Sequence, residues 1–208
     1  NKGGYIDAGS GIDISNSFSV YAKITPSGDM SSSVFVGQHK TDPAQMVLGC
    51  NYDGQFYVRA DASIKGENVP YYATTPKTFT DYDYPAQVVG VYGSDARLRI
   101  YVNGVEEGSS AEFSRDISKP DNTRVYIGKR EYPIDEGQYT GWIDEIGLCN
   151  KTINASGVKD LYDNKFRLSR FVDDKIPPVL SGVASTGDIS KCAVSYTHLR
   201  AHETDSYL

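Results

Sequence analysis

The sequence is poor in the residues that usually announce chemistry. Among 208 residues there are three Cys, three His, two Met and a single Trp. Lys and Arg number 21 against 27 Asp and Glu, a net charge of −6, and the basic residues do not cluster. A nucleic-acid binder needs such a cluster to displace counterions, so no nucleic-acid partner is expected. No apolar run is long enough for a membrane-spanning helix, and no membrane insertion is expected. Long helical patterns are scarce as well. Abundant are Tyr (16), Gly (20) and the β-branched residues, a composition suited to strands and turns. A chain of this length can bury one sizeable core, and sandwiches often reach it as a single domain.

The strand signal is clearest over residues 87–108, QVVGVYGSDARLRIYVNGVEEG. Val89 and Val91 alternate with smaller or polar neighbours, a GSDA turn follows, and Leu98, Ile100 and Val102 alternate with Arg97, Arg99 and Tyr101. That is period two, the mark of strands with one buried face. Asn103-Gly104 supplies the positive-φ pair of a tight hairpin. A second segment, 126–148, reads as another hairpin around an irregular loop.

These stretches also carry a likeness. The ordered set GGYIDAG, SFSVYAKITP, LRIYVNGV, YIGK and GWIDEIGLCNKTI resembles the concanavalin A-like lectin/glucanase superfamily, and within it the laminin-G-like, pentraxin-like modules. The likeness runs from about residue 3 to about residue 165. It implies an all-β, antiparallel jelly-roll β-sandwich (concanavalin A-like) with a short C-terminal helix. It also implies that the curved sheet or the rim loops hold a glycan.

Further strands are expected at 4–8, 18–24, 34–38, 45–50 and 55–59, with Phe18, Val20, Ala22 and Ile24 facing inward. NYDG, 51–54, signals another hairpin. Between Ala60 and Tyr84 the alternation fails and Pro70 and Pro76 intervene, so a long excursion is expected, with one short strand near 71–75. Residues 106–123 read similarly, and long loops in a compact domain are commonly functional. INASGVKDLYDN predicts a helix capped by Asn154 or Ser156, with Val158, Leu161 and Tyr162 on its apolar face.

The sandwich domain is therefore expected over 1–167. Residues 168–192 read as a linker and the truncated start of an immunoglobulin-like module. Residues 193–208, with SYTHLRAHETDSYL, resemble the in-frame translation of a sequencing-library adapter, which suggests a non-native tail and a metagenomic microbial or phage source. The chain begins with Asn and shows no signal peptide, and it reads as part of a multidomain protein. That protein is expected to be secreted, at a cell surface or on a phage particle.

His198 and His202 have the four-residue spacing of a helical zinc pair, but they lie in the suspect tail. His39 reads as a solvated strand-end residue. Cys50 and Cys149 fit two readings, a disulfide across the sandwich or two buried free thiols. Asn150 and Asn154 begin glycosylation patterns, which are incidental in a microbial chain. The glucanase branch places E-x-D-x-x-E along one strand, whereas this strand reads Gly141-Trp142-Ile143-Asp144-Glu145-Ile146. Adjacent Asp144 and Glu145 would point to opposite faces, so no retaining carboxylate pair forms and no enzyme is expected.

The likeness gives Asp144 two roles of equal standing, a hydrogen-bonded latch or a ligand of structural Ca2+ together with Asp7 and Asp13. For sugar contact the candidates are Tyr71, Tyr72, Tyr82 and Tyr84 of the excursion, with Tyr132 and Tyr139 before the last strand. Tyrosine faces stack on sugar C–H faces while nearby polar groups meet the hydroxyls. Trp142 reads as core. The expected activity is non-catalytic binding of a glycan or polysaccharide. The alternative is an adhesion or architectural module that contacts a cell-surface protein or spaces domains.

Overall fold

The computed structural model describes residues 5–10, 13–14, 16–39, 44–113, 117–118, 123–129, 138–163 and 196–200. The expected module start at 168–192, Tyr132 and His202 lie outside them. Twelve strands form two antiparallel sheets: β1 (Ile6–Ser10), β2 (Phe18–Pro26), β3 (Ser33–His39), β4 (Ala44–Cys50), β5 (Gln55–Ile64), β6 (Glu67–Thr78), β7 (Ala86–Tyr92), β8 (Leu98–Val102), β9 (Val105–Ser109), β10 (Arg124–Ile127), β11 (Gly141–Cys149) and β12 (Tyr196–Arg200). Sheet A has the order β1-β10-β3-β4-β5-β6, and sheet B the order β12-β11-β2-β7-β8-β9. This is a sandwich of the concanavalin A-like kind, with one short helix, α1 (Ala155–Tyr162).

The inner faces follow the alternation in the sequence. Phe18, Val20, Ala22 and Ile24 of β2 meet Phe35, Leu48, Phe56 and Val58 of sheet A in one continuous core. Gly90 of β7 faces Val58, and a Cβ there would collide with the Val58 side chain, so this glycine lets the sheets approach. Asn103 and Gly104 both take positive φ, 51° and 80°, and close the β8–β9 hairpin as expected.

Two expectations change. The excursion after Ala60 is largely strand: β5 and β6 form a long hairpin turned by Lys65-Gly66, both at positive φ. Pro70 and Pro76 are tolerated because β6 is the edge strand, where a missing N–H need not break a ladder. The second segment is not a hairpin either. Its strand β10 pairs with β1 and β3 in sheet A, while β11 pairs with β2 in sheet B, so the chain crosses between sheets.

Cys50 and Cys149 are buried free thiols, which decides between their two readings. Burial pushes the Cys50 thiol up to about 12. The tail segment Tyr196–Arg200 is a strand on the β11 edge rather than a helix, so His198 does not sit on the helical face that a zinc pair requires.

Helix α1 covers part of the outer face of sheet B. The Asn154 side chain caps it by accepting from the Gly157 N–H at 2.8 Å. Val158 and Leu161 pack with Ile153 on Tyr21, Val89, Val91 and Tyr101, whereas Tyr162 stays partly exposed. The Ser19 hydroxyl fixes the approach to the helix: it donates to the Lys151 carbonyl and accepts from the Ile153 N–H.

Candidate functional site

The alternation of β5 that buries Phe56, Val58, Ala60 and Ala62 sends Tyr57, Arg59 and Asp61 to the outer face of sheet A. Cross-strand register extends this face into a row: Asp7, Tyr126, Gly37, Val47, Arg59 and Tyr72 stand opposite one another across β1, β10, β3, β4, β5 and β6. From Tyr126 to Tyr72 the row crosses four strand spacings, roughly 19 Å.

The two ends of the row are aromatic and charged. At the β6 end Arg59 grips Asp61 through two hydrogen bonds, Nε to Oδ1 and Nη2 to Oδ2, both 2.7 Å. Their side chains are only 10% and 2% exposed. Such a pair fixes the guanidinium in place, since losing either partner would strand a buried charge. The guanidinium carbon lies 5.8 Å from the Tyr72 ring centroid, and Tyr57 packs 6.0 Å from the same ring. Tyr72 itself is 46% exposed, held from below and open above.

At the other end the Lys129 ammonium lies 3.4 Å from the Tyr5 ring centroid and 4.9 Å from that of Tyr126. Arg124 pairs with Asp7 at 2.9 Å and, with the Gly9 N–H, holds that carboxyl below its usual range. Between the ends stand small residues, Gly37 and Val47 in the row and Val34 and Gly49 beside it. Gly37, Val47, Val34 and Gly49 are all buried, so the open part of this face lies at its ends, with the Tyr72 ring at one and the Tyr5 ring at the other.

Most of the tyrosines proposed from sequence turn the other way. Tyr71, next to Tyr72 on a strand, faces inward and stacks on Phe113 with centroids 4.2 Å apart. Tyr82 stacks on Phe56 at 5.3 Å, and its hydroxyl is raised, chiefly by burial. The Tyr84 hydroxyl donates to the Phe79 carbonyl at 2.6 Å. Tyr139 is 1% exposed, packs edge-on against Phe35, and is raised well above the usual tyrosine range by burial. Of the five candidate tyrosines among the described residues, Tyr72 alone has an open ring on the sheet A face. Tyr57, Arg59 and Asp61 were missed, although their i, i+2, i+4 spacing within the strand could have revealed a shared face.

The three aspartates do not converge. Asp7 belongs to sheet A and is bonded to Arg124, Asp144 belongs to sheet B, and Asp13 is exposed. Among the described residues no three His, Cys, Asp or Glu side chains are placed to hold a metal ion, so Asp7, Asp13 and Asp144 are not brought together as a ligand set. Asp144 is the extra residue of a bulge in the ladder to β2, where Ile143 faces Ile24 and Glu145 faces Lys23. Glu145 thus points outward and accepts a short hydrogen bond from the buried Tyr21 hydroxyl. Trp142, expected in the core, is 44% exposed on the same outer side.

A sequence profile described as the Concanavalin A-like lectin/glucanases superfamily matches residues 1–159. A search of curated proteins finds no match. Among solved structures, the fold is similar to a heptameric SAP-like pentraxin from Limulus polyphemus, at 14% identity and a TM-score of 0.51, covering 76% of this chain and 72% of that one. It is also similar to a Bacteroides ovatus protein assigned to carbohydrate binding, at 19% identity and a TM-score of 0.56, covering 76% of this chain and 45% of that one. A Trypanosoma rangeli sialidase matches at 18% identity and a TM-score of 0.50, over 73% of this chain and 23% of its own.

Proposed function

The chain belongs to the concanavalin A-like lectin/glucanase superfamily, and from that premise we propose that it is a non-catalytic carbohydrate-binding module that holds a glycan on the outer face of sheet A. The observation that carries this reading is the open Tyr72 ring, backed by Tyr57 and the immobilised Arg59, on the edge strand β6 of that face. Sugar rings stack their C–H faces on such a platform, and polar groups around it orient the hydroxyls. The Bacteroides relative's assignment to carbohydrate binding agrees with the reading.

The face is unsuited to hydrolysis. A retaining mechanism needs two carboxyls about 5–5.5 Å apart. The carboxylates described on it, Asp7 and Asp61, stand four strands apart, roughly 19 Å, and each is bonded to an arginine. We further place the module in a larger secreted or surface-exposed protein, the setting in which glycans are met, with the sandwich ending near residue 167.

Glycan-array binding of the chain, with and without EDTA, tests the proposal. Binding is expected to survive EDTA, because the three aspartates do not form a calcium site. It should be lost in Tyr72→Ala. An array on which no sugar binds would overturn the proposal and favour an adhesion or spacing role. Binding that survives Tyr72→Ala would move the site away from sheet A.

A further inference from the structure

The outer face of sheet B divides in two. One part is roofed by α1. The other carries Trp142, Glu145, Lys23 and Gln87, laid out by the ladder: Glu145 stands opposite Lys23 and Lys23 opposite Gln87, while Trp142 stands opposite Thr25. With strands about 5 Å apart, Lys23 and Gln87 lie roughly 5 and 10 Å across from Glu145.

Nothing in the fold requires an exposed indole here. Ile143 and Ile146 supply the inward contacts of the strand, and Trp142 contributes none to the core. Its backbone is nonetheless tightly held. The Tyr139 hydroxyl donates to the Trp142 carbonyl at 3.3 Å. Gly141 has a φ of 150°, and a Cβ there would collide with the Thr25 carbonyl and the Tyr139 ring. The backbone beneath the indole is thus fixed.

The polar groups beside it are also prepared. Glu145 is anchored by the Tyr21 hydroxyl. The Lys23 side chain makes no hydrogen bond or ion pair among the described residues. An apolar ring, an acceptor and a donor within a short span form the complement of a polyol ring. Glu145 and Lys23, opposite each other in the ladder, balance in charge, and an uncharged ligand leaves that balance intact.

The geometry points to a second sugar site on this strip, taking a neutral pyranose that stacks on Trp142 and engages Glu145 and Lys23 through its hydroxyls. It rests on the reading of the chain as a sugar binder but uses none of the residues of the sheet A face.

Trp142 is the only tryptophan in the chain, so its emission reports on this site alone. Soluble hexasaccharides of glucose, mannose and xylose, titrated one at a time into the full chain, provide the probes. With one of them we expect a saturable change in Trp142 emission and protection from acrylamide quenching. Both should persist in Tyr72→Ala, which separates the two faces. Lys23→Met should weaken the affinity by roughly tenfold, the worth of one hydrogen bond to a charged group, and leave the melting temperature unmoved. Array binding that depends on Tyr72, with Trp142 emission unchanged by all three sugars, would overturn the second site and leave the first intact. A signal that vanishes in Tyr72→Ala would also overturn it. A signal in the absence of Tyr72-dependent binding would sustain this site and refute the other.

Discussion

The outer face of sheet A is organised around a bidentate ion pair and an open tyrosine, whereas that of sheet B is partly sealed by a helix and partly left as a polar strip. Both sheets bury equivalent apolar faces inward, yet their outer faces exclude water by different means. On sheet B the agent is hydrophobic: Val158 and Leu161 press on Tyr21, Val89, Val91 and Tyr101. On sheet A a small apolar cluster of Val34, Val47 and Tyr57 is joined by two charges that neutralise each other at Arg59 and Asp61 beside the tyrosine rings. Apolar burial is forgiving and graded, while a buried pair fails abruptly when one member goes. Function is accordingly expected where each cover stops.

The comparison is broken most severely at the ion pair. Asp61→Ala strands the Arg59 charge and should cost about 3–5 kcal/mol, read as a lowered urea midpoint. If that variant is as stable as the parent, the pair is not the organising element of its face. Leu161→Ala, under the helix, should cost less, about 2–4 kcal/mol, with α1 detached rather than the sandwich unfolded. Hydrogen exchange would show fast amides confined to the helix and its linker.

Alkaline titration separates the faces without mutation. Burial, with Glu145 adding to it, raises the Tyr21 hydroxyl well above its unfolded value, and burial with Glu106 raises Tyr101 to about 12. A neutral tyrosine raised in this way stabilises the fold fully below its unfolded pKa of about 10. That stability is lost as pH rises through the folded value, because the unfolded chain releases the proton first. The free energy of unfolding should fall above pH 10, by about 1.4 kcal/mol per pH unit for a buried group such as Tyr21, read as a falling melting temperature. The absorbance of these rings should change only with unfolding. The smallest effect is expected from Tyr72→Ala, within about 0.5 kcal/mol in stability as for other surface substitutions. Its thermal melt should overlay the parent's even where glycan binding is gone.

Much of the fold is legible in the residues. Strands β2 and β7 to β9 announce themselves by strict alternation and by Asn103-Gly104, and the capped helix by Asn154. Strand β6 is not legible, because its two prolines signal a loop to any reader who does not know that it lies at an edge. That one misreading carried into the site. In a loop Tyr71 and Tyr72 are equivalent candidates, but in a strand they take opposite faces, so one stacks on Phe113 and the other meets solvent. Reading β5 as ending at Arg59 likewise hid the shared face of Tyr57, Arg59 and Asp61. Trp142 and Glu145 were obscured by the bulge at Asp144, since a single extra residue reverses which side chains point outward and leaves no mark in composition.

The placement of β2 at the centre of sheet B also sets an order of assembly. Its neighbours are β7 and β11, which follow it by tens of residues and by more than a hundred. Strands β3 to β6, in contrast, pair with their immediate successors. Local pairings close quickly and distant ones must first absorb the entropy of a long loop. The half of the sandwich that bears Tyr72 is therefore expected to take shape early, while the pairings of β2 with β11 and of β1 with β10, which both span long loops, are expected late.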